Sequence, residues 1–198
     1  MMRWTDMNLR TVLTIAAIAA CLRPAVAMVT NLPLGPVDLQ TTQTPPQVFV
    51  HANGDALRGA RPDDDPNLPL FDASGNALYF TLEKWRAGNG AVDIVPDSEG
   101  GDRVTLNLRR LIAFGHYSVF LRTDDADGQH FTPLDGSGIT NNFDAHVDGS
   151  ASVVLSAPQH IAGGDWIVTI YHSDAQDHGN FPGDFTHTAH QQLIVKSP

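Results

Sequence analysis

Short apolar runs with a period of two dominate the chain from about Asn76 onward and restrict it to a fold built from strands. In the segment 103–108 every second residue is apolar, namely Val104, Leu106 and Leu108, and the residues between them are polar. This alternation is typical of a strand with one buried face. Glycine, aspartate and asparagine separate the runs and favour turns.

The same pattern predicts further strands over most of the remaining chain. They are Ala77–Trp85, Ala91–Val95, His116–Arg122, Asn142–Val147, Ala151–Leu155, Asp165–His172 and Gln191–Lys196. The run Asp165–His172 is apolar at both odd and even positions, which predicts a central strand buried on both faces. Asp148–Ser150 predicts a hairpin between the strands around it. About eight short strands without a helical period predict an all-β fold, a single antiparallel β-sandwich (Ig-like or jelly-roll-like) over residues 73–198.

The segment 28–72 differs from this domain in its proline content. Its seven prolines repeatedly block helices and ladder hydrogen bonds. One β-like run, Gln47–His51, interrupts it. We therefore expect a Pro-rich, partly ordered arm that leads into the β-sandwich.

Residues 1–27 have the three zones of a secretory signal peptide. Two arginines precede the apolar stretch 11–21, and Ala25-Val26-Ala27 is the small-x-small pattern of a cleavage site. The apolar stretch is about half of the ~20 residues that a transmembrane helix needs. The pattern predicts export to the periplasm or the extracellular space, with no transmembrane anchor. Acylation of Cys21, in a lipoprotein-like Ile18-Ala19-Ala20-Cys21 sequence, is the alternative to cleavage after Ala27.

The charge of the chain argues against nucleic acid as a partner. The formal net charge is −10, and removal of residues 1–27, which hold one acidic and three basic residues, makes it −12. Such a chain repels phosphate backbones, and no basic run offsets that repulsion. Since Cys21 is the only cysteine, no disulfide can form within one chain.

Histidines concentrate in the second half of the chain. Of the nine, eight lie from His116 onward, and four fall within residues 172–190 together with aspartates. Imidazole and carboxylate are common ligands of copper and zinc. If the end of the Asp165–His172 strand and the following loops share one pole, these groups converge on a first-row metal ion (Cu or Zn). The predicted ligands are His172, His178 and His190, with Asp174 or His187 as a fourth ligand or as the group that orients an imidazole.

Three other interpretations stay open beside a metal site. The histidines can be incidental, because their spacing contains no H-x-H pair and no HExxH motif. A cell-envelope module for adhesion, glycan or protein binding needs no metal at all. An enzyme is least favoured: no G-x-S-x-G turn is present, and His172, Ser173 and Asp174 are adjacent, so their side chains alternate between faces.

Several segments of the last 120 residues resemble a loosely defined group of uncharacterised exported bacterial β-sandwich proteins. These are GHYSVFLR, PLDGSG, NNF, DGSAS, IYHSDAQDHG and AHQQLIV, of which Tyr171-His172-Ser173-Asp174 with His178-Gly179 is the most specific. The resemblance implies export and a β-sandwich, and it implies no activity or catalytic residue. A fainter likeness to copper/zinc superoxide dismutase lacks that family's H-x-H strand motif and its disulfide cysteines, so we reject dismutation.

Overall fold

The computed structural model describes residues 28–39, 47–51 and 56–198. The predicted signal peptide, residues 1–27 with Cys21, lies outside these residues. Within them the chain forms thirteen strands and one short helix: β1 (Val29–Pro36), β2 (Phe49–His51), β3 (Leu57–Gly59), β4 (Pro69–Phe71), β5 (Ala77–Thr81), α1 (Leu82–Arg86), β6 (Asn89–Pro96), β7 (Asp102–Arg109), β8 (His116–Asp125), β9 (Gly128–Pro133), β10 (Asn142–Asp144), β11 (Ala151–Ala157), β12 (Trp166–His172) and β13 (Ala189–Lys196). The all-β prediction is confirmed, and the strand pairs are antiparallel.

Nine strands form one sheet that curls into half a barrel. Their order is β10-β8-β12-β13-β1-β6-β7-β11, and β9 also pairs with β8. β1 joins the two halves, because Leu32–Leu34 pair with β6 whereas Gly35 and Pro36 pair with β13. The concave side holds a core in which Leu34, Leu106 and Ile167 are almost fully buried.

A smaller sheet, in the order β3-β2-β4-β5, packs beside the half-barrel around its own apolar cluster. Trp85 from α1 is buried in this cluster, and Tyr171 from β12 packs against both clusters. The Tyr171 ring lies 6.1 Å from the Trp85 ring and 5.5 Å from the Tyr117 ring of the larger core. Tyr171 thus connects the two cores.

Two of the strand predictions are confirmed in detail. Val104, Leu106 and Leu108 of β7 are buried, and the residues between them are not. β12 lies between β8 and β13 and has buried residues of both parities. A strand flanked on both sides and covered on both faces carries apolar residues throughout, which is the pattern in its sequence.

Two local predictions are wrong, and one strand was not predicted. The predicted strand Ala77–Trp85 ends at Thr81, which caps α1 by accepting a hydrogen bond from the Lys84 amide (3.3 Å). Asp148–Ser150 does not close a hairpin, because β10 pairs with β8 whereas β11 pairs with β7. The segment after Asp125 forms a strand, β9, which pairs with β8 and was not predicted.

The Pro-rich segment 28–72 contributes four strands where it is described. β1 is an interior strand of the half-barrel, and β2, β3 and β4 belong to the smaller sheet. Gln47–His51, the β-like run of the sequence, includes β2. No helix in the described part of the chain is long and apolar enough to cross a bilayer.

Candidate metal centre

The end of β12 and the start of β8 bring two histidines to one pole of the half-barrel. His172 is the antiparallel partner of His116, and their ring centroids lie 5.8 Å apart. Since alternate residues of a strand point to opposite faces, both imidazoles lie on the face that also carries Phe120 and Ile170. Tyr171 points to the other face. We call this end of the sheet, with loops 110–115, 145–150 and 173–188, the site pole.

His172 is almost fully buried, with 1% of its surface exposed. Its Nε2 lies 2.6 Å from the Ser118 Oγ. Its Nδ1 is buried and has no hydrogen-bond partner among the described residues. Burial lowers the pKa of His172 to about 4, and the neighbouring His178 and His116 act in the same direction. The imidazole is therefore neutral at pH 7, the form of histidine that can bind a metal ion.

The loop after β12 returns two more donor groups to His172. Side-chain donor atoms of His172, Asp174 and His178 all lie within 4.8 Å of one another. The His178 Nε2 is 3.1 Å from an Asp174 carboxylate oxygen, and the His178 ring centroid is 5.1 Å from that of His172. Backbone hydrogen bonds from Ser173 to Thr188 (2.9 Å) and from Ala175 to His172 (3.2 Å) hold the start of the loop.

Exposure decreases from the loop to the strand within this group. The side chains of His178 and Asp174 are 25% and 28% exposed, whereas His172 is buried. The two loop residues therefore face the solvent, and the His172 imidazole lies at the inner end of the group. Two imidazole nitrogens and one carboxylate form a donor set that suits zinc, copper or iron.

His190, a predicted ligand, lies on the opposite face of the sheet. It pairs with Tyr171, so its side chain points away from His172. Its Nδ1 is 2.6 Å from the Gln47 carbonyl oxygen, and its Nε2 is 3.1 Å from the Ser173 Oγ. Burial lowers its pKa. His190 thus connects β13 to the segment before β2, outside the three-residue group.

His187, the other predicted member, is also outside the group. Its Nδ1 lies 2.9 Å from an Asp184 carboxylate oxygen and 2.7 Å from the Thr186 Oγ1. These contacts are local to the loop, and the His187 side chain is 45% exposed. The structure therefore brings together His172, Asp174 and His178 of the five predicted residues.

His116 is the residue at this pole to which the sequence assigned no role. Its Nδ1 and Nε2 each lie 2.7 Å from a carboxylate oxygen, of Asp144 and Asp177 respectively. It thereby joins β10 to the loop that carries His178. The sequence did contain an indication that His116 lies beside His172. His116 begins one β-prone run and His172 ends another, so antiparallel pairing of the two runs places these residues side by side.

No protein-family model, no curated protein and no solved structure matches this chain.

Proposed function

We propose that this chain is an exported β-sandwich protein that binds one first-row transition metal ion, Cu²⁺ or Zn²⁺, through His172, Asp174 and His178. The observation that carries the proposal is a buried, neutral imidazole with a free nitrogen, within 4.8 Å of a second imidazole and a carboxylate. The His172 Nδ1 is one of eight buried side-chain polar atoms without a hydrogen-bond partner among the described residues, and its residue belongs to the group that holds a second imidazole and a carboxylate. A bound ion would supply a partner for the His172 Nδ1.

The spacing of the donors suits a shared ion after a small adjustment. Tetrahedral bonds of about 2.0–2.2 Å place ligand atoms roughly 3.3–3.6 Å apart. The His178 nitrogen and the Asp174 oxygen are 3.1 Å apart, and no pair in the group exceeds 4.8 Å. Because His178 and Asp174 lie on a loop, their side chains can move toward His172 without any change in the sheet. Three protein ligands leave a further position for water.

A titration of chelator-treated protein with Zn²⁺ and Cu²⁺ tests the proposal. We expect one ion per chain, and a loss of at least about 100-fold in affinity in His178→Ala. His187→Ala is the matched control, because His187 is on the same loop and contacts Asp184 instead. Equal affinities of the wild type and His178→Ala would refute the site.

One observation supports the alternative, an envelope module that binds a partner protein. Phe114, Ile139, Val147 and Phe181 are 70–79% exposed. Phe114, Val147 and Phe181 lie on loops of the site pole, and Ile139 follows Gly138, which packs against Gly179 of loop 173–188. Exposed apolar side chains at one end of a molecule are typical of an interaction surface.

Cosedimentation with isolated cell envelopes separates this alternative from metal binding. A docking role predicts that Phe114→Ser/Phe181→Ser reduces the cosedimented fraction while His178→Ala leaves it unchanged. The metal proposal alone predicts no cosedimentation that depends on the two phenylalanines.

Export is the second part of the proposal, and it rests on the three zones of residues 1–27. Mass spectrometry of the protein secreted by a Gram-negative host should give a mature chain that begins at Met28. A chain that begins at an acylated Cys21 would instead establish a lipoprotein. A cytoplasmic chain that retains Met1 would refute export.

A further inference from the structure

Ser118 and His172 form a hydrogen-bonded polar pair beside an apolar part of the sheet. Ser118 is 2% exposed and lies in β8 opposite Ile170, two residue pairs from His172 and on the same face of the sheet. Its Oγ is 2.6 Å from the His172 Nε2. Phe120, Val168, Ile170 and Ala189 make up the neighbouring buried apolar cluster. A hydroxyl in such surroundings costs free energy unless it is hydrogen-bonded, and the imidazole is its partner.

This contact decides which nitrogen of His172 carries the proton. A neutral imidazole has one N–H and one lone pair. With the proton on Nε2, the N–H donates to the Ser118 Oγ and the lone pair is on Nδ1. With the proton on Nδ1, a buried N–H has no acceptor, because Nδ1 lacks a partner in the described structure. Since Ser118 occupies Nε2, Nδ1 is the ring nitrogen that is left for an ion, and only the first arrangement places the lone pair there.

We propose that the metal ion binds the Nδ1 of His172 and that Ser118 is the positioning residue that fixes this choice. The inference rests on the proposed metal site. Ser118 accepts the Nε2–H hydrogen bond, holds the ring plane and keeps the Nδ1 lone pair directed toward Asp174 and His178. Hydrogen bonds of this kind to the second ring nitrogen are a general feature of metal-binding histidines.

Histidine ¹⁵N NMR tests the assignment directly in the wild-type protein. Without metal, long-range ¹H–¹⁵N correlations should show His172 as the Nε2–H tautomer at pH 7. With ¹¹³Cd²⁺ as the probe ion, the ¹¹³Cd–¹⁵N coupling should appear on the His172 Nδ1. The Nδ1–H tautomer, or coupling to Nε2, would overturn the inference while leaving the metal site in place. Absence of Zn²⁺ and Cu²⁺ binding in the titration would instead refute the proposed function.

A matched pair of variants tests the role of the hydroxyl. Threonine and valine have nearly the same shape, so Ser118→Thr and Ser118→Val impose the same added volume and differ in the hydroxyl. We expect Ser118→Val to lower Zn²⁺ affinity 10- to 100-fold relative to Ser118→Thr. The ¹⁵N spectrum of Ser118→Val should also show a shift of His172 toward a mixture of tautomers. Equal affinities and equal spectra for the two variants would overturn the role of Ser118.

Discussion

His116 and His172 face each other across β8 and β12, with ring centroids 5.8 Å apart, yet their contacts differ completely. His116 contacts two carboxylates, whereas His172 is buried beside a serine and has a free nitrogen. The two histidines of this cross-strand pair therefore have different roles at the site pole. His116 connects β10 to the loop, and His172 is available to an ion.

This division predicts a small effect of His116→Ala on metal affinity. Asp144 and Asp177 are 75% and 64% exposed, so solvent screens their attraction to His116. We expect the free energy of unfolding to fall by about 1 kcal/mol, and Zn²⁺ affinity to fall less than 10-fold. Chemical denaturation and metal titration check both values. A loss in His116→Ala as large as that in His178→Ala would make His116 a ligand.

The lowered pKa of His172 predicts that stability decreases in mild acid. An unfolded histidine binds its proton near pH 6.5, whereas the folded His172 binds it only near pH 4. Between these values the unfolded state holds more protons, so the free energy of unfolding decreases as pH falls from 6.5 to 4. The expected contribution is roughly 3 kcal/mol, since one pKa unit corresponds to about 1.4 kcal/mol.

Urea denaturation at pH 7, 5.5 and 4.5, in the presence of chelator, measures this dependence. His190 also has a lowered pKa, so part of the dependence should persist in His172→Gln. The exposed His146 provides the control, and His146→Gln should behave like the wild type. The same pH dependence in His172→Gln and the wild type would contradict the prediction.

The loop that carries His178 depends on a glycine in the neighbouring loop. Gly138 has φ +71°, and a Cβ there would lie 2.3 Å from the backbone carbon of Gly179. We expect Gly138→Ala to displace the backbone beside His178, lower the free energy of unfolding by about 2–3 kcal/mol and weaken Zn²⁺ binding.

Gly75→Ala is the matched control for Gly138→Ala. Gly75 has φ +84°, but a Cβ there meets no atom within 4 Å. The Gly75→Ala substitution should lower the free energy of unfolding by about 1 kcal/mol, because alanine is strained in the left-handed backbone conformation, and it should leave metal affinity unchanged. Equal losses of stability and affinity in the two variants would show that the contact of Gly138 with Gly179 does not hold the loop.

Tyr171 is predicted to be the main connection between the half-barrel and the smaller sheet. Its ring contacts Phe80 and Trp85 on one side and Tyr117 on the other. Removal of a large aromatic ring from such a position costs about 3 kcal/mol. Differential scanning calorimetry of Tyr171→Ala should show this loss. Tyr79→Ala, at a side chain that is 95% exposed, should change stability by less than about 0.5 kcal/mol.

The period of apolar residues was sufficient to predict seven of the nine strands of the half-barrel, but it missed β1 and β9, and it failed where a local hydrogen bond decides the conformation. β7 and β12 follow directly from their patterns. At Thr81 the side chain caps a helical turn, and Leu82 and Trp85, three residues apart, are then both buried. A five-residue helix is too short to show a period, so only the cap could have indicated it.

The candidate site was predicted in part because proximity along the chain brought some of its residues together. His172, Asp174 and His178 lie within seven residues, and one loop returns them to each other. His190 is close to them in sequence but points to the opposite face, because β13 pairs with β12 in a register that places it opposite Tyr171. His116 is distant in sequence and reaches the pole through strand pairing. Without the register in which β12 pairs with β13 and with β8, neither the position of His190 nor that of His116 could be predicted.

Anomalous X-ray diffraction at the zinc absorption edge, from crystals of Zn²⁺-loaded protein, tests the metal site most directly. We predict one strong peak about 2.0–2.2 Å from the His172 Nδ1, the His178 imidazole and the Asp174 carboxylate. A peak elsewhere, or no peak between these three side chains at full Zn²⁺ loading, would contradict the account.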